Sequence, residues 1–166
     1  MNALIVYHTV TGHTKRAAED IAEGLRSGGV AVRLEAVSEA RELNVADQSI
    51  VVVGSPCHAG SLAIQAGVSG PIRSFLRQWA DSVLTGKVGG AFAVHSTYGG
   101  HRTVRGIERR LRKAGARIPE AGVVVRAGVP FSLFTGPMAS EESQEKLRAF
   151  GRALALAAEG GCGQGE

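Results

Sequence analysis

The sequence predicts an α/β fold: a parallel β-sheet with helices on both faces. Three observations carry this. Apolar runs of strand length alternate with segments of helical period about five times along the chain, the pattern of repeated strand–helix crossovers. Ile50-Val51-Val52-Val53 is apolar without alternation, as a strand covered on both faces must be. Turn-forming residues gather where strands should end, at Thr9-Val10-Thr11-Gly12-His13-Thr14, at Gly54-Ser55-Pro56 and at Tyr98-Gly99-Gly100. With 166 residues, 44% hydrophobic and 20% charged, the chain has the length and composition of one ordinary globular domain.

The elements follow in order. Residues 3–8 read as a first strand. Residues 11–27 have helical period and stop at Gly28-Gly29. In residues 30–37, Val30, Val32 and Leu34 alternate with Ala31, Arg33 and Glu35, the pattern of an edge or near-edge strand. A polar stretch runs to Gln48. Residues 49–54 are the buried strand, and 55–69 are rich in Gly and Ser without a clear period. Pro71 suits a first helical turn, and that helix should continue through Ile72, Phe75, Leu76 and Trp79. Residues 88–95 form a fourth strand, 98–100 a turn, 103–113 a basic helix and 121–126 a fifth strand. The last helix spans 141–159, with Leu147, Phe150, Leu154 and Ala158 on one face. Residues 1–159 are thus expected to form one domain, and the Gly-rich tail 160–166 is expected to fray.

Composition excludes several classes. No apolar run reaches the ~18–20 residues of a membrane span, and the N-terminus lacks the pattern of a secretory signal. Cys57 and Cys162 are the only cysteines, so no disulfide framework is expected and a reducing, cytoplasmic setting is. No metal is expected, because His8 and His13 lie five apart with no third ligand nearby. Trp79 and Phe75 fit helix-core spacing rather than a cofactor stack.

The net charge is +4, but residues 101–117 alone carry +6 through Arg102, Arg105, Arg109, Arg110, Arg112, Lys113 and Arg117 against Glu108. This segment reads either as a solvated helix face or as a docking surface for an acidic partner, a phosphorylated cofactor or nucleic acid. Nucleic acid is the weakest of these, since the segment has no aromatic for stacking and no binding motif.

The turn 9–14 joins a buried strand to a helix start. Helix N-termini present unpaired N–H groups and the positive end of the macrodipole, so they favour anions. Three threonines add donors, and Gly12 lets the backbone approach a ligand. The turn is therefore expected to hold a phosphate.

On these residues the chain resembles the flavodoxin-like flavoprotein family. Thr9-x-Thr11-Gly12-x-Thr14 is similar to that family's phosphate loop for flavin mononucleotide (FMN). Gly54-Ser55-Pro56-x-x-x-Gly60 resembles the first loop flanking the isoalloxazine ring, and His95-Ser96-Thr97-Tyr98-Gly99-Gly100 the second. Gly136-Pro137 and the helix around Phe150 resemble the family's closing segment. The resemblance covers residues 1–158. It implies a three-layer flavodoxin-like fold with a five-stranded parallel sheet in the order 2-1-3-4-5, FMN at the point where that order reverses, and no covalent catalyst among the side chains. It assigns Thr9, Val10, Thr11, Gly12, His13 and Thr14 to the phosphate. Ser55, Pro56, Cys57, His58, Ala59 and Gly60 should flank one side of the ring. His95, Ser96, Thr97, Tyr98, Gly99 and Gly100 should flank the other, with Tyr98 the candidate to stack on it.

One departure changes the expected partners. Small flavodoxins are typically acidic, whereas this chain has pI near 9.5 and no Asp or Glu in residues 48–80 or 82–107. Positive charge stabilises an anionic reduced flavin, so a less negative flavin potential is expected. Weight moves toward a reductase of quinones or another small acceptor, with NAD(P)H as a donor, beside the electron-transfer reading with a redox partner protein. A flavin-free binding or regulatory module is the third alternative. Between the fifth strand and the last helix, Val129, Phe131, Leu133, Phe134 and Met138 make an unusually apolar connection. It can cover the ring edge, form a homodimer contact or pack on the core.

Overall fold

A computed structural model describes residues 1–41, 45, 47–57, 67–95, 98–127 and 140–161. The elements are β1 (Asn2–Tyr7), α1 (His13–Ser27), β2 (Ala31–Ala36), β3 (Ile50–Cys57), α2 (Gly70–Arg77), β4 (Val88–His95), α3 (Gly100–Lys113), β5 (Val123–Arg126) and α4 (Glu141–Gly161). The strands form one sheet in the order β2-β1-β3-β4-β5, and every pairing is parallel. The expected architecture and strand order are both observed.

Alternation along the central strands builds two cores. Ala3, Ile5 and Tyr7 of β1, Ile50 and Val52 of β3 and Phe92 and Val94 of β4 face α1 and α4. Leu4 and Val6, Val51 and Val53, and Ala91 and Ala93 face α2 and α3. A period of two on a sheet buried on both sides forces both sets to be apolar. The edge strand β2 is only partly covered, as its alternation predicts. Large and small residues interlock across the sheet. A Cβ on Gly54 would lie within 2.6 Å of Phe92 Cε2, so the Phe92 ring fills the space that Gly54 leaves.

Several boundaries differ from the sequence reading: α1 begins at His13 rather than 11, α3 at Gly100 rather than 103, and α4 runs to Gly161 rather than 159, and three further differences have causes in the packing. β3 continues to Cys57, because Ser55, Pro56 and Cys57 pair with Ala93, Val94 and His95. The first candidate ring loop therefore begins as strand. β5 starts only at Val123, since the Gly122 amide donates to Glu108 Oε1 at 2.8 Å instead of joining the ladder. α2 stops at Arg77 rather than reaching Trp79, which is buried just beyond the helix and meets Phe75 edge to face at 5.2 Å.

The stop is reinforced from α3. Arg110 Nε donates to the Leu76 carbonyl at 2.8 Å, one Nη to the Trp79 carbonyl, and the other to Asp81 Oδ1 at 3.1 Å. One residue of the basic segment is thus a C-terminal cap for a neighbouring helix. Charged hydrogen bonds to part-buried carbonyls are worth about 1.5–3 kcal/mol. Arg110→Ala is accordingly expected to lower the melting temperature by roughly 4–10 °C. An unchanged thermal unfolding curve would show that water replaces the guanidinium at no cost.

Candidate functional site

The sheet order turns between β1 and β3. After β1 the chain moves outward to β2, then crosses back to β3, so the connections leaving β1 and β3 diverge and leave a crevice at the carboxyl edge. Each candidate loop starts at that edge. Register places Tyr7 beside Gly54 and Cys57 beside His95, and the His8 amide donates to the Gly54 carbonyl at 3.2 Å.

The turn after β1 presents free amides at a helix start, the arrangement an anion requires. Gly12 has φ 84°, ψ −15° at the N-cap of α1, a left-handed conformation that costs glycine little. Its amide donates to Thr9 Oγ1 at 3.0 Å, and its carbonyl accepts from Arg16 N at 3.1 Å. No side chain caps this helix and no acid lies in its first turn. The amides of His13, Thr14 and Lys15 precede the first intrahelical bond, so they are available to an exogenous acceptor. Thr11 is exposed and Thr14 buried. Val10 is 67% exposed, so it contributes backbone rather than packing. His13 is not a cap. It lines a cavity of about 300 Å³ with Arg16, Asp20, Arg126 and Arg148.

The two candidate ring loops are tied together at their roots. Cys57, 8% exposed, donates its Sγ–H to the Tyr98 carbonyl at 3.3 Å. Gly99, with φ 93°, is the N-cap of α3, which again has no side-chain cap and no acid in its first turn. Gly100 is buried against His95, whose Cδ2 would lie 2.9 Å from a Cβ there. Tyr98 is 44% exposed and stands at the entrance. His58, Ala59, Gly60, Ser96 and Thr97 lie outside the described residues, as does the apolar connection 128–139.

The side chain of Ser55, a candidate ring contact, is engaged within the fold. It is fully buried; its hydroxyl accepts from Ser69 N at 3.0 Å and donates to the Pro56 carbonyl at 2.9 Å. The side chain anchors the start of α2. Ser69 was missed by the sequence reading. It precedes Gly70-Pro71 at the N-cap of α2, and its buried Oγ has no hydrogen-bond partner among the described residues. A serine before a proline-initiated helix was the available signal. Arg126, which lines the cavity beside His13, was likewise read only as a strand end.

Behind the turn 9–14, α1 and α4 share an ion-pair cluster. Arg148 lies 2.9 Å from Glu23 Oε2 and 3.6 Å from Asp20 Oδ1. Burial raises the Asp20 carboxyl above its ordinary value, against the opposing pull of Arg148. A raised folded-state value means that the contribution to stability is full while the group is protonated and is lost as pH rises through that value. The stability difference between Asp20→Asn and wild type is therefore expected to shift in favour of the variant as pH rises from about 3 to 7. A pH series of urea unfolding checks this, and a constant difference contradicts it.

The donor set suits a flavin phosphate: an uncapped helix start, a left-handed glycine with open space around it, and hydroxyls without acids. Residues 5–149 match the family model described as Flavodoxin.

The chain belongs to the flavodoxin family.

A protein named flavodoxin from Aquifex aeolicus (strain VF5) is 34% identical, over 92% of this chain and 84% of its own length. A protein named NAD(P)H dehydrogenase (quinone) from Acidovorax ebreus (strain TPSY) is 31% identical, over 84% of this chain and 75% of its own. Among solved structures, a flavodoxin from the domain Archaea superposes with TM-score 0.79 at 19% identity, covering 96% of this chain and 99% of that one; at that identity it shows the fold. Family membership implies FMN as the cofactor and electron transfer as the activity. Among the described residues no helix is long and apolar enough to cross a membrane.

Proposed function

We propose that this flavodoxin-family protein binds FMN at the carboxyl edge of the sheet and serves in cytoplasmic electron transfer. The phosphate is assigned to the turn 9–14. The ring is assigned to the space between the loop that leaves Cys57 and the turn at Tyr98. The observation that carries the reading is the uncapped, acid-free start of α1 at the sheet's switch point, with the two later loops joined by the Cys57–Tyr98 hydrogen bond. When bound, FMN supplies the redox chemistry. The chain's own residues position and screen it. Amides of the first α1 turn and the threonine hydroxyls orient the phosphate, and Tyr98 shields one edge of the site from water.

Absorbance spectroscopy of the purified protein, followed by FMN titration of the apoprotein, tests the reading. Flavin bands and stoichiometric uptake are expected. A colourless protein that refuses added FMN would leave the flavin-free module as the surviving alternative. A potentiometric titration is also expected to give a less negative potential than in acidic flavodoxins, because the described residues around the ring loops include His95, His101 and Arg102 and no carboxylate. A strongly low-potential second electron step contradicts that charge argument.

A second reading is an FMN-dependent NAD(P)H:quinone-type oxidoreductase. It is favoured by the 31% identical relative of that name and by the same lack of acids. Oxidation of NAD(P)H by the holoprotein with a soluble quinone separates it from a carrier. Size-exclusion mass measurement decides whether a homodimer forms.

A further inference from the structure

Most of the basic segment that the electron-transfer reading leaves unused lines a single groove. α2 and α3 lie side by side over the same face of the sheet, and a cavity of about 890 Å³ runs between them. Its walls carry Arg73 and Arg77 from α2, and Arg102, Arg105, Arg109 and Arg110 from α3. Gly67, Val68, Leu76 and Gly106 complete its lining. Gly106 has no side chain to block the groove, and Val68 packs close against it.

These six arginines are not equivalent. Arg110 is the cap described above, and Arg73 donates to the Val68 carbonyl at 3.0 Å. Arg77, Arg102, Arg105 and Arg109 are exposed, and none forms an ion pair among the described residues. The only acid of α3, Glu108, is turned to Gly122 and Arg112. Four guanidinium groups without counter-charges, held on two rigid helices, repel one another unless an anion joins them.

We propose that this groove is the docking surface for an acidic partner protein that inserts a carboxylate-bearing helix or loop between α2 and α3. The shape selects the occupant. The site is concave, and Arg102, Arg105 and Arg109 lie three and four residues apart along about two helical turns, roughly 10 Å. That spacing matches carboxylates on one face of a partner helix, and planar guanidinium forks pair with carboxylates bidentately. A nucleotide is disfavoured because the lining has no aromatic to stack on a base and no acid to accept ribose hydroxyls. Duplex DNA is disfavoured because the basic segment matches no nucleic-acid-binding motif. The placement suits the function: α2 and α3 both start at the carboxyl edge, so the groove opens beside the ring loops. In that respect it rests on the FMN reading.

The test uses a fluorescently labelled acidic plant-type ferredoxin as probe, with apo and FMN-loaded protein, followed by anisotropy. Wild type is expected to bind at low salt and to weaken at least about tenfold between 20 and 200 mM salt. Arg105→Glu with Arg109→Glu should weaken binding at least about 30-fold. The charge-matched pair Arg26→Glu with Lys146→Glu, on the opposite helical layer, should change it less than about threefold. The surface assignment is overturned by absence of wild-type binding, by equal losses in both pairs, or by NADPH or duplex DNA displacing the probe. Because the assay does not need flavin, a protein that takes FMN but ignores the probe overturns only the docking surface. One that binds the probe but refuses FMN overturns only the flavin reading.

Discussion

Replacing Thr11 with glutamate is expected to lower FMN affinity by about 100- to 1,000-fold. Thr11 is exposed in the turn before α1, where the cradle consists of backbone amides, hydroxyls and a left-handed glycine, with no acid in the first helical turn. A carboxylate there stands about 4 Å from a bound phosphate, and one such charge pair costs about 4 kcal/mol at the effective dielectric of a protein surface. Screening by water and salt brings the net effect into the stated range. Thr11→Val removes only one neutral donor, worth about 1 kcal/mol, and should cost about fivefold. Calorimetric titration of the apoprotein measures both variants. Riboflavin, which lacks the phosphate, provides the control: its weaker binding should be the same in wild type and Thr11→Glu. Wild-type FMN affinity in Thr11→Glu would place the phosphate elsewhere.

The second large effect concerns stability. Gly24→Ala and Gly151→Ala are each expected to destabilise the protein by about 2–3 kcal/mol, lowering the melting temperature by roughly 5–12 °C. α1 and α4 cross with their backbones in contact at these two glycines. A Cβ on Gly24 would lie 2.8 Å from the Arg148 carbonyl carbon, and one on Gly151 would lie 2.9 Å from the Leu25 amide nitrogen. The obstructing atoms are backbone, so no rotamer change relieves the clash and the helices must separate. Separation opens gaps around Ile21, Leu25, Leu147 and Leu154, which are fully buried in the same core. Alanine regains about 1 kcal/mol of helix propensity over glycine, which is smaller than the packing loss. Either substitution alone forces the helices apart, so the double variant should cost clearly less than the sum of the two. Full additivity in denaturant unfolding would show that the two contacts are independent and the notch is not shared.

Much of the scaffold was legible because its signals are local. The unbroken Ile50–Val53 run, the alternation around Val32 and Leu34, and Pro71 near the start of α2 each report on their own neighbourhood. The three candidate loops were legible for the same reason: Thr, Ser and Gly cluster where strands hand over to helices. Less was legible where distant residues intervened. Ser55 is a candidate ring contact from its position after a strand, and its hydroxyl also holds Ser69, fourteen residues on, which no local pattern shows. Trp79 continues the helical period of α2, yet the helix stops before it, where Arg110 binds the Leu76 and Trp79 carbonyls from another helix. β5 loses its first residues to a hydrogen bond from Gly122 to Glu108.

The amino-acid sequence by itself determined the element types, the parallel character of the sheet and the hydroxyl-rich turn before α1. Those depend on side-chain period, backbone permissiveness and local donors. Only the tertiary structure decided which of the basic residues serve the fold and which face outward. Seven cations stand between residues 101 and 117 in one dimension. In three dimensions Arg110 is a helix cap, Arg112 and Lys113 pair with Glu108 and Asp81, and Arg102, Arg105 and Arg109 join Arg73 and Arg77 across a groove. The reason is geometric: electrostatic roles depend on distances between groups, and residues from two helices meet only once the sheet has brought those helices together.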